Sequence, residues 1–408
     1  MNQVNQNNKE ISLIFDFNNI AMRALFTCSY GNSTDHVMIR DFSTDAECGV
    51  LIRKITMDML YIVRMVNPNK IIVCCDSGKS WRKSLLESEE VGYKENRKKN
   101  EDYDWNKIYA ELDIFKKILA DNNIQVFEID NGEADDLAAI LKEIIYRQNH
   151  NNIIYVTSDK DWLQLVDFDD NTNSFCCVLN PIANRYKKKP FNITQDFKDW
   201  TVKKDEQSLV DTIFNTGIDF TKDKMNKLIS SSNIDVNIIS PDYIVLSKVF
   251  CGDESDNIPS FYEFYGKNGK KTRITELKMK KIIEGAGITD IHDLKQVALS
   301  ENFKSTLQTV LKKEIDDVDL NERMNRQILL VQLEPSLFPK QLVEDFKYKY
   351  NHIKQNGYIT NPEMFKMDKF LENTKYIDKN YKTRKSNDIF DDLKDLEKYI
   401  KPTANSLF

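Results

Sequence analysis

The sequence predicts an α/β domain on a mainly parallel sheet, followed by a mostly helical region. Three observations lead there. Apolar runs that read as buried strands (Ile11–Asp16, Lys70–Asp76, Ile124–Ile129, Asn152–Asp161) alternate with segments of helical periodicity. Three of those runs close on or just before an aspartate, at Asp16, Asp76 and Asp159. From Asp242 onward the strand pattern stops, and Ile244, Leu246, Val249 and Phe250 open a helical one. Buried parallel strands carry their ligand sites at their carboxyl ends, so the three aspartates are expected on one edge of the sheet.

At 408 residues the chain is too long for one compact core, and two or more domains are expected. A net charge of −6 means that bulk electrostatics do not announce a polyanion binder, so any such contact must be argued from local clusters. No apolar run approaches the roughly 18 residues of a membrane span. The opening MNQVNQNNKE lacks a signal-peptide pattern. A cytoplasmic protein without a membrane partner is expected. Seven cysteines form no CxxC pair, and Cys74-Cys75 and Cys176-Cys177 read as small buried hydrophobes. With only four scattered histidines, any metal is expected on oxygen ligands.

Taken in order, Ile11–Asp16 is followed by Asn18, Asn19 and a helix carrying Arg23. A polar loop (about 29–46) leads to a helix over about 47–66 and then to the strand at Lys70. The segment Lys79–Lys99 holds seven basic and four acidic residues, among them Arg82, Lys83, Lys94, Arg97 and Lys98. Starting just after Asp76, it is expected to overhang the acids, with its cations on backbone phosphates and Trp81 or Tyr93 stacked on a base. Glu133-Ala134-Asp135-Asp136 then opens a helix marked by Leu137, Ile140, Leu141, Ile144 and Ile145. Three carboxylates at a helix start suit capping as well as a ligand role.

Phe175–Leu179 reads as a further strand, and residues 194–240 as an insertion without a visible purpose. In the helical region, Gly252–Pro259 contains Asp253 and Asp256. It precedes residues 266–281, with seven basic residues and one acidic, including Lys267, Lys270, Lys271 and Arg273. Basic turns between helices suit sequence-independent contacts to a duplex backbone. Residues 351–408 read as a small helical cap and tail, with Leu407-Phe408 a frayed apolar end rather than a clamp-docking peptide.

Eight or nine acids on one edge would repel one another and push each other's pKa upward. A hard divalent cation relieves that repulsion, and Mg²⁺, with Mn²⁺ as a substitute, prefers oxygen ligands. One magnesium ion needs only one or two carboxylates, so this many imply two neighbouring ions, a set suited to phosphodiester displacement. With basic segments on either side, the residues by themselves point to a metal-dependent phosphodiesterase acting on nucleic acid.

These motifs in this order resemble the 5′-nuclease (flap endonuclease-like) family, most closely its T-even-phage ribonuclease H type. The resemblance covers about residues 11–350. It rests on Asp16-Phe17-Asn18-Asn19, Asp76 with Trp81-Arg82-Lys83 and Tyr93-Lys94-Glu95-Asn96-Arg97, Glu133-Ala134-Asp135-Asp136, Ser158-Asp159-Lys160-Asp161, and Gly252–Pro259. It implies a PIN-like domain over 1–241 with a helical arch at about 78–110. A helix–three-turn–helix DNA-binding domain would follow over 242–350. Asp16, Asp76, Glu133, Asp135 and Asp159 would hold a first metal ion; Asp161, Asp253 and Asp256 would hold or orient a second; Asp136 would act in the outer shell. Lys94 and Arg97 would contact the scissile phosphate, with Arg82 and Arg23 as weaker candidates.

The implied activity is 5′→3′ exonuclease and flap endonuclease, on DNA and RNA–DNA duplexes with a nick or 5′ flap. Its task would be removal of RNA primers during replication, by a monomer, with a sliding clamp or single-strand-binding protein as the expected kind of partner. Two other readings stay open. A PIN-domain endoribonuclease shares the acids but gives no reason for Gly252–Pro259. A catalytically inactive DNA-binding scaffold gives no reason for a complete set of acids.

Overall fold

The computed structural model describes residues 9–30, 37–66, 68–87, 92–122, 124–182, 190–203, 236–265, 271–315 and 320–355. These fall into two compact units. The first takes residues up to 77, 100–239 and 341 onward; the second takes Gly78–Lys99 and Ser240–Lys340.

In the first unit, β1 (Ile11–Asp16) is buried along its whole length and pairs in parallel with β4 (Lys70–Cys74) on one side and β6 (Asn152–Val156) on the other. β5 (Gln125–Phe127) extends the sheet beyond β4, and β8 (Ser174–Leu179) extends it beyond β6, both in parallel. β7 (Asp167–Asp169) and β9 (Phe191–Ile193) pair antiparallel with β8, and β10 (Asn237–Ile238) joins β9. Two short strands, β2 (Ser29–Tyr30) and β3 (Val37–Met38), form a separate hairpin.

The apolar runs are continuous because both sheet faces are covered. Leu13, Phe15, Ile71, Val73, Ile154 and Val156 share a core with Phe17 of α1 (Phe17–Leu25), Ile55 of α2 (Asp45–Val66) and Phe115 of α3 (Trp105–Asp121). On the opposite face the Tyr155 hydroxyl donates to the carbonyl of Ala138 in α4 (Ala134–Leu141), at 3.4 Å. Beyond α4 the helix continues as a π-helical turn, Lys142–Gln148. The helix Lys340–Gln355 places Phe346 4.8 Å from the Phe127 ring, at the end of β5. Burying such a ring contributes about 1.5–3 kcal/mol.

The segment expected as an insertion begins and ends inside this unit. Gln195–Lys203 is a helix whose Phe197 stacks on Phe175 (4.8 Å) and Phe168 (5.2 Å), and β10 closes the sheet edge. Residues 204–235 lie outside the described residues, as do the basic turn at 183–189 and the tail from 356.

The second unit is helical, as expected. Phe250 of the helix Pro241–Cys251, Phe261 and Phe303 of the helix Glu301–Leu311 form an aromatic centre with ring centroids 5.7–6.3 Å apart. Met279 and Ile282 of Glu276–Ala286 and Met324 of Leu320–Val331 pack on the same core. The sequence-expected arch does not stand alone: Trp81–Leu86 is a 3₁₀ helix whose Leu86 joins this core, and so does Tyr93.

Candidate active site

Three parallel neighbours deliver the strand-end acids. Asp16 is the last residue of β1, Asp76 lies two residues past β4 and Asp159 three past β6, so all three leave one edge of the sheet. Asp16 is buried, and its Oδ1 accepts the Asn19 N–H (3.1 Å), capping α1. Its Oδ2 accepts the Thr157 hydroxyl at 2.7 Å. Asn19 Oδ1 in turn accepts the amide (3.0 Å) and hydroxyl (2.8 Å) of Ser158. Thr157 Oγ1 accepts the Asp159 N–H (2.9 Å), and Asp159 Oδ1 accepts the Asp161 N–H (3.0 Å). Thr157 thus orients Asp16 and Asp159, and Ser158 holds Asn19 beside them. The only sequence signal for that role is a pair of hydroxyl residues just ahead of a strand-end aspartate.

The fourth contribution is the start of α4. Asp76 Oδ1 accepts the Ala134 N–H (2.8 Å), Asp136 Oδ2 accepts the Glu133 N–H (3.1 Å), and Asp135 Oδ1 accepts the Asp136 N–H (2.8 Å). The acids therefore act as caps: Asp136, fully buried, uses one oxygen on the Glu133 amide. One carboxylate oxygen each from Glu133, Asp135 and Asp136 lies within 4.8 Å of the others. Their charge is favoured by the positive end of the helix.

Burial first, and then the charge of Asp76, raise the Asp16 carboxyl to about 7. Asp159 adds to this, while the bonds from Thr157 and Asn19 oppose it. A buried carboxyl raised by neighbouring carboxylates is the electrostatic mark of a site that a cation would relieve. The donors are all oxygens, which fits a hard divalent ion. The cysteines described offer no competing soft site. Cys74, Cys75, Cys176 and Cys177 are buried, and burial holds their thiols well above their ordinary pKa.

Asp253 and Asp256 stand in the second unit and face cations there. Lys248 Nζ lies 2.5 Å from Asp253 Oδ2, and the Ser255 amide (2.8 Å) and hydroxyl (2.6 Å) donate to its Oδ1. Burial alone would raise Asp253, but the bonds from Lys248 and Ser255 hold it down at about 2. Asp256 pairs with Arg97 and Lys94.

Two expectations for the basic segment need correction. Tyr93 is buried in the hydrophobic core, so no base can stack on it. Arg82 is 1% exposed, its guanidinium 4.7 Å over the Trp81 ring and 5.9 Å from that of Phe338; it packs inside the unit instead of facing a phosphate. Arg23 pairs with Asp58 at 3.2 Å. Lys83 and Lys98 are exposed, and Arg273, also exposed, pairs with Glu254. Lys267 and Lys270 lie outside the described residues, as does the side chain of Lys271.

An α/β domain with acids on the carboxyl edge of its sheet, able to hold a divalent cation, defines a class of metal-binding hydrolase domains. Comparison gives a likeness: residues 12–197 match the model of the 5′-3′ exonuclease, N-terminal resolvase-like domain. The match includes every acid from Asp16 to Asp161 and ends before Asp253 and Asp256.

Among solved structures, the T5 5′-exonuclease with bound divalent zinc ions is 17% identical, with a TM-score of 0.47 over 84% of this chain and 99% of that one. The bacteriophage T5 flap endonuclease in a pseudo-enzyme–product complex with DNA and metal ions is also 17% identical, with a TM-score of 0.44 over 85% and 99%. No significant match was found among curated proteins. No helix among the described residues is long and apolar enough to cross a membrane.

Proposed function

We propose that the protein is a metal-dependent 5′→3′ exonuclease and flap endonuclease. It hydrolyses phosphodiesters in DNA and RNA–DNA duplexes at a 5′ end, nick or flap, and removes RNA primers during replication in the cytoplasm. The observation that carries this reading is the acidic edge inside the matched nuclease domain, where Asp16, Asp76, Asp159 and the Glu133–Asp136 turn are fixed by backbone amides and by Thr157. Asp16, Asp76, Glu133, Asp135 and Asp159 would hold a first Mg²⁺, and Asp161 would help to orient a second. Bound divalent ions would lower the pKa of an attacking water and neutralise charge on the leaving oxygen.

The chain's own groups do the positioning. Thr157 fixes the Asp16 carboxylate, Asp76 is anchored to the first amide of α4, and Asp136 locks the turn that presents Glu133 and Asp135. By resemblance, Lys94 and Arg97 contact the scissile phosphate, and exposed Lys83, Lys98 and Arg273 meet the backbone of the duplex.

Asp135→Asn tests the metal assignment. It is expected to lower cleavage by at least about 100-fold, beyond what loss of a supporting outer-shell partner costs. Binding to a nicked duplex should stay measurable, because the basic contacts remain. Equal cleavage by mutant and wild type would refute the assignment.

A further inference from the structure

Asp256 is 4% exposed and lies at the centre of a clasp between residues 92–97 and the loop 252–259, all within the second unit. Its Oδ1 takes the Arg97 guanidinium. Its Oδ2 lies 3.7 Å from Lys94 Nζ and accepts the Tyr93 hydroxyl at 3.5 Å. Its backbone carbonyl accepts the Lys94 N–H at 2.9 Å. Further bonds close the clasp: Arg97 Nε donates to the Ser255 carbonyl (3.3 Å), the Asn96 side-chain amide to that of Glu254 (2.6 Å), and the Asn257 side-chain amide to that of Gly92 (3.0 Å). The Lys94 ammonium also sits 4.8 Å over the Tyr93 ring.

Lys94 has φ +59°, in the left-handed region. For a lysine that conformation is unfavourable and persists only where the surroundings over-determine it. The clasp supplies that determination, so the position of this lysine is stabilised against its own backbone preference. Oδ1 of Asp256 is taken by one cation of the chain and Oδ2 faces a second at 3.7 Å, whereas an inner ligand of a metal ion must turn its lone pairs to the ion. A charge-assisted arrangement of this kind fixes geometry as well as contributing energy.

We propose that Asp256 is a positioning residue that holds Lys94 and Arg97 at a set spacing, acting through these two cations and not as a metal ligand. This rests on the reading above in which Lys94 and Arg97 contact the scissile phosphate. With the carboxylate neutralised, the cations lose their common anchor and must be ordered anew in each transition state.

The test compares full-length wild type, Asp256→Asn, Lys94→Ala, Arg97→Ala and the Asp256→Asn/Arg97→Ala double variant on one nicked duplex. Mn²⁺ binding is measured alongside without substrate. Asp256→Asn is expected to lower kcat about 10- to 100-fold while moving KM less than about threefold, and to cost less than about threefold more in the Arg97→Ala background. Its Mn²⁺ affinity and stoichiometry should match wild type, while Asp135→Asn loses Mn²⁺. Weakening of Mn²⁺ binding by about tenfold or more in Asp256→Asn, or full additivity with Arg97→Ala, would overturn the proposal.

If Lys94→Ala and Arg97→Ala both cleave like wild type, the phosphate-contact reading falls and this role with it. If they are impaired and Asp256→Asn is not, only the positioning role falls. Should Asp256→Asn not fold, Asn96→Ala loosens the same clasp from an exposed site. A kcat loss of about threefold or more at unchanged Mn²⁺ binding is then expected, and wild-type kcat overturns the role.

Discussion

Asp16 ties the chemistry of the site to the stability of the fold. Its carboxyl is raised from 3.8 to about 7 by burial and by Asp76, with Asp159 adding to the effect. In the metal-free protein the folded state therefore keeps a proton, between these two values, that the unfolded chain has released. Across that window this group's contribution to stability falls as pH rises, and above about 7 the full penalty is present. A divalent cation bound there favours the ionised carboxylate, so its stabilisation should be larger where the penalty is complete. Adding Mg²⁺ or Mn²⁺ is expected to raise Tm more at about pH 8 than at about pH 5. Equal shifts at both would contradict the role given to Asp16.

The position of Asp16 was legible from residue types because an apolar run ending in a carboxylate has few other uses. The inward turn of Tyr93 and Arg82 was not. A charge-rich run gives no sign of which members turn inward, since that depends on partners such as Phe338 and Asp256, distant in sequence.

At the scale of elements, the start of α4 and the loop 252–259 do comparable work in their own units. α4 was readable because its apolar spacing begins just after three acids, and the structure shows the acids serving its free amides. The loop depends on one backbone position. Gly252 has φ +76° and ψ −175°, a region that is essentially Gly-only, and a Cβ there would lie 2.5 Å from the Ile258 carbonyl oxygen. That close approach allows Asp253 and Ile258 to exchange backbone hydrogen bonds at 2.9 and 2.8 Å. Gly252→Ala is expected to destabilise the second unit by about 1–3 kcal/mol, read as a lower thermal midpoint; an unchanged midpoint would contradict the packing described. By contrast, the helix Gln195–Lys203 was missed. Its polar sequence hides two aromatic anchors, the buried Phe197 and the partly buried Trp200, and one such pair does not make a period.

At the scale of the molecule, the chain joins an α/β unit with an acidic sheet edge to a helical unit with its own aromatic core. The α/β character, the acidic edge and the change to helices near 242 follow from runs and periods that local sequence displays. The inclusion of Gly78–Lys99 in the helical unit does not, because it is a long-range pairing of segments more than a hundred residues apart.

The central claim, that the acidic edge serves metal-dependent cleavage at 5′ ends, is tested most directly by digesting a 5′-labelled, RNA-primed nicked duplex beside a 5′ flap of the same sequence, with and without Mg²⁺. The account predicts short labelled products from the nick and cuts near the flap junction, both only with the metal. Internal cuts in single-stranded RNA with both duplexes untouched would contradict it, as would cleavage that ignores the metal.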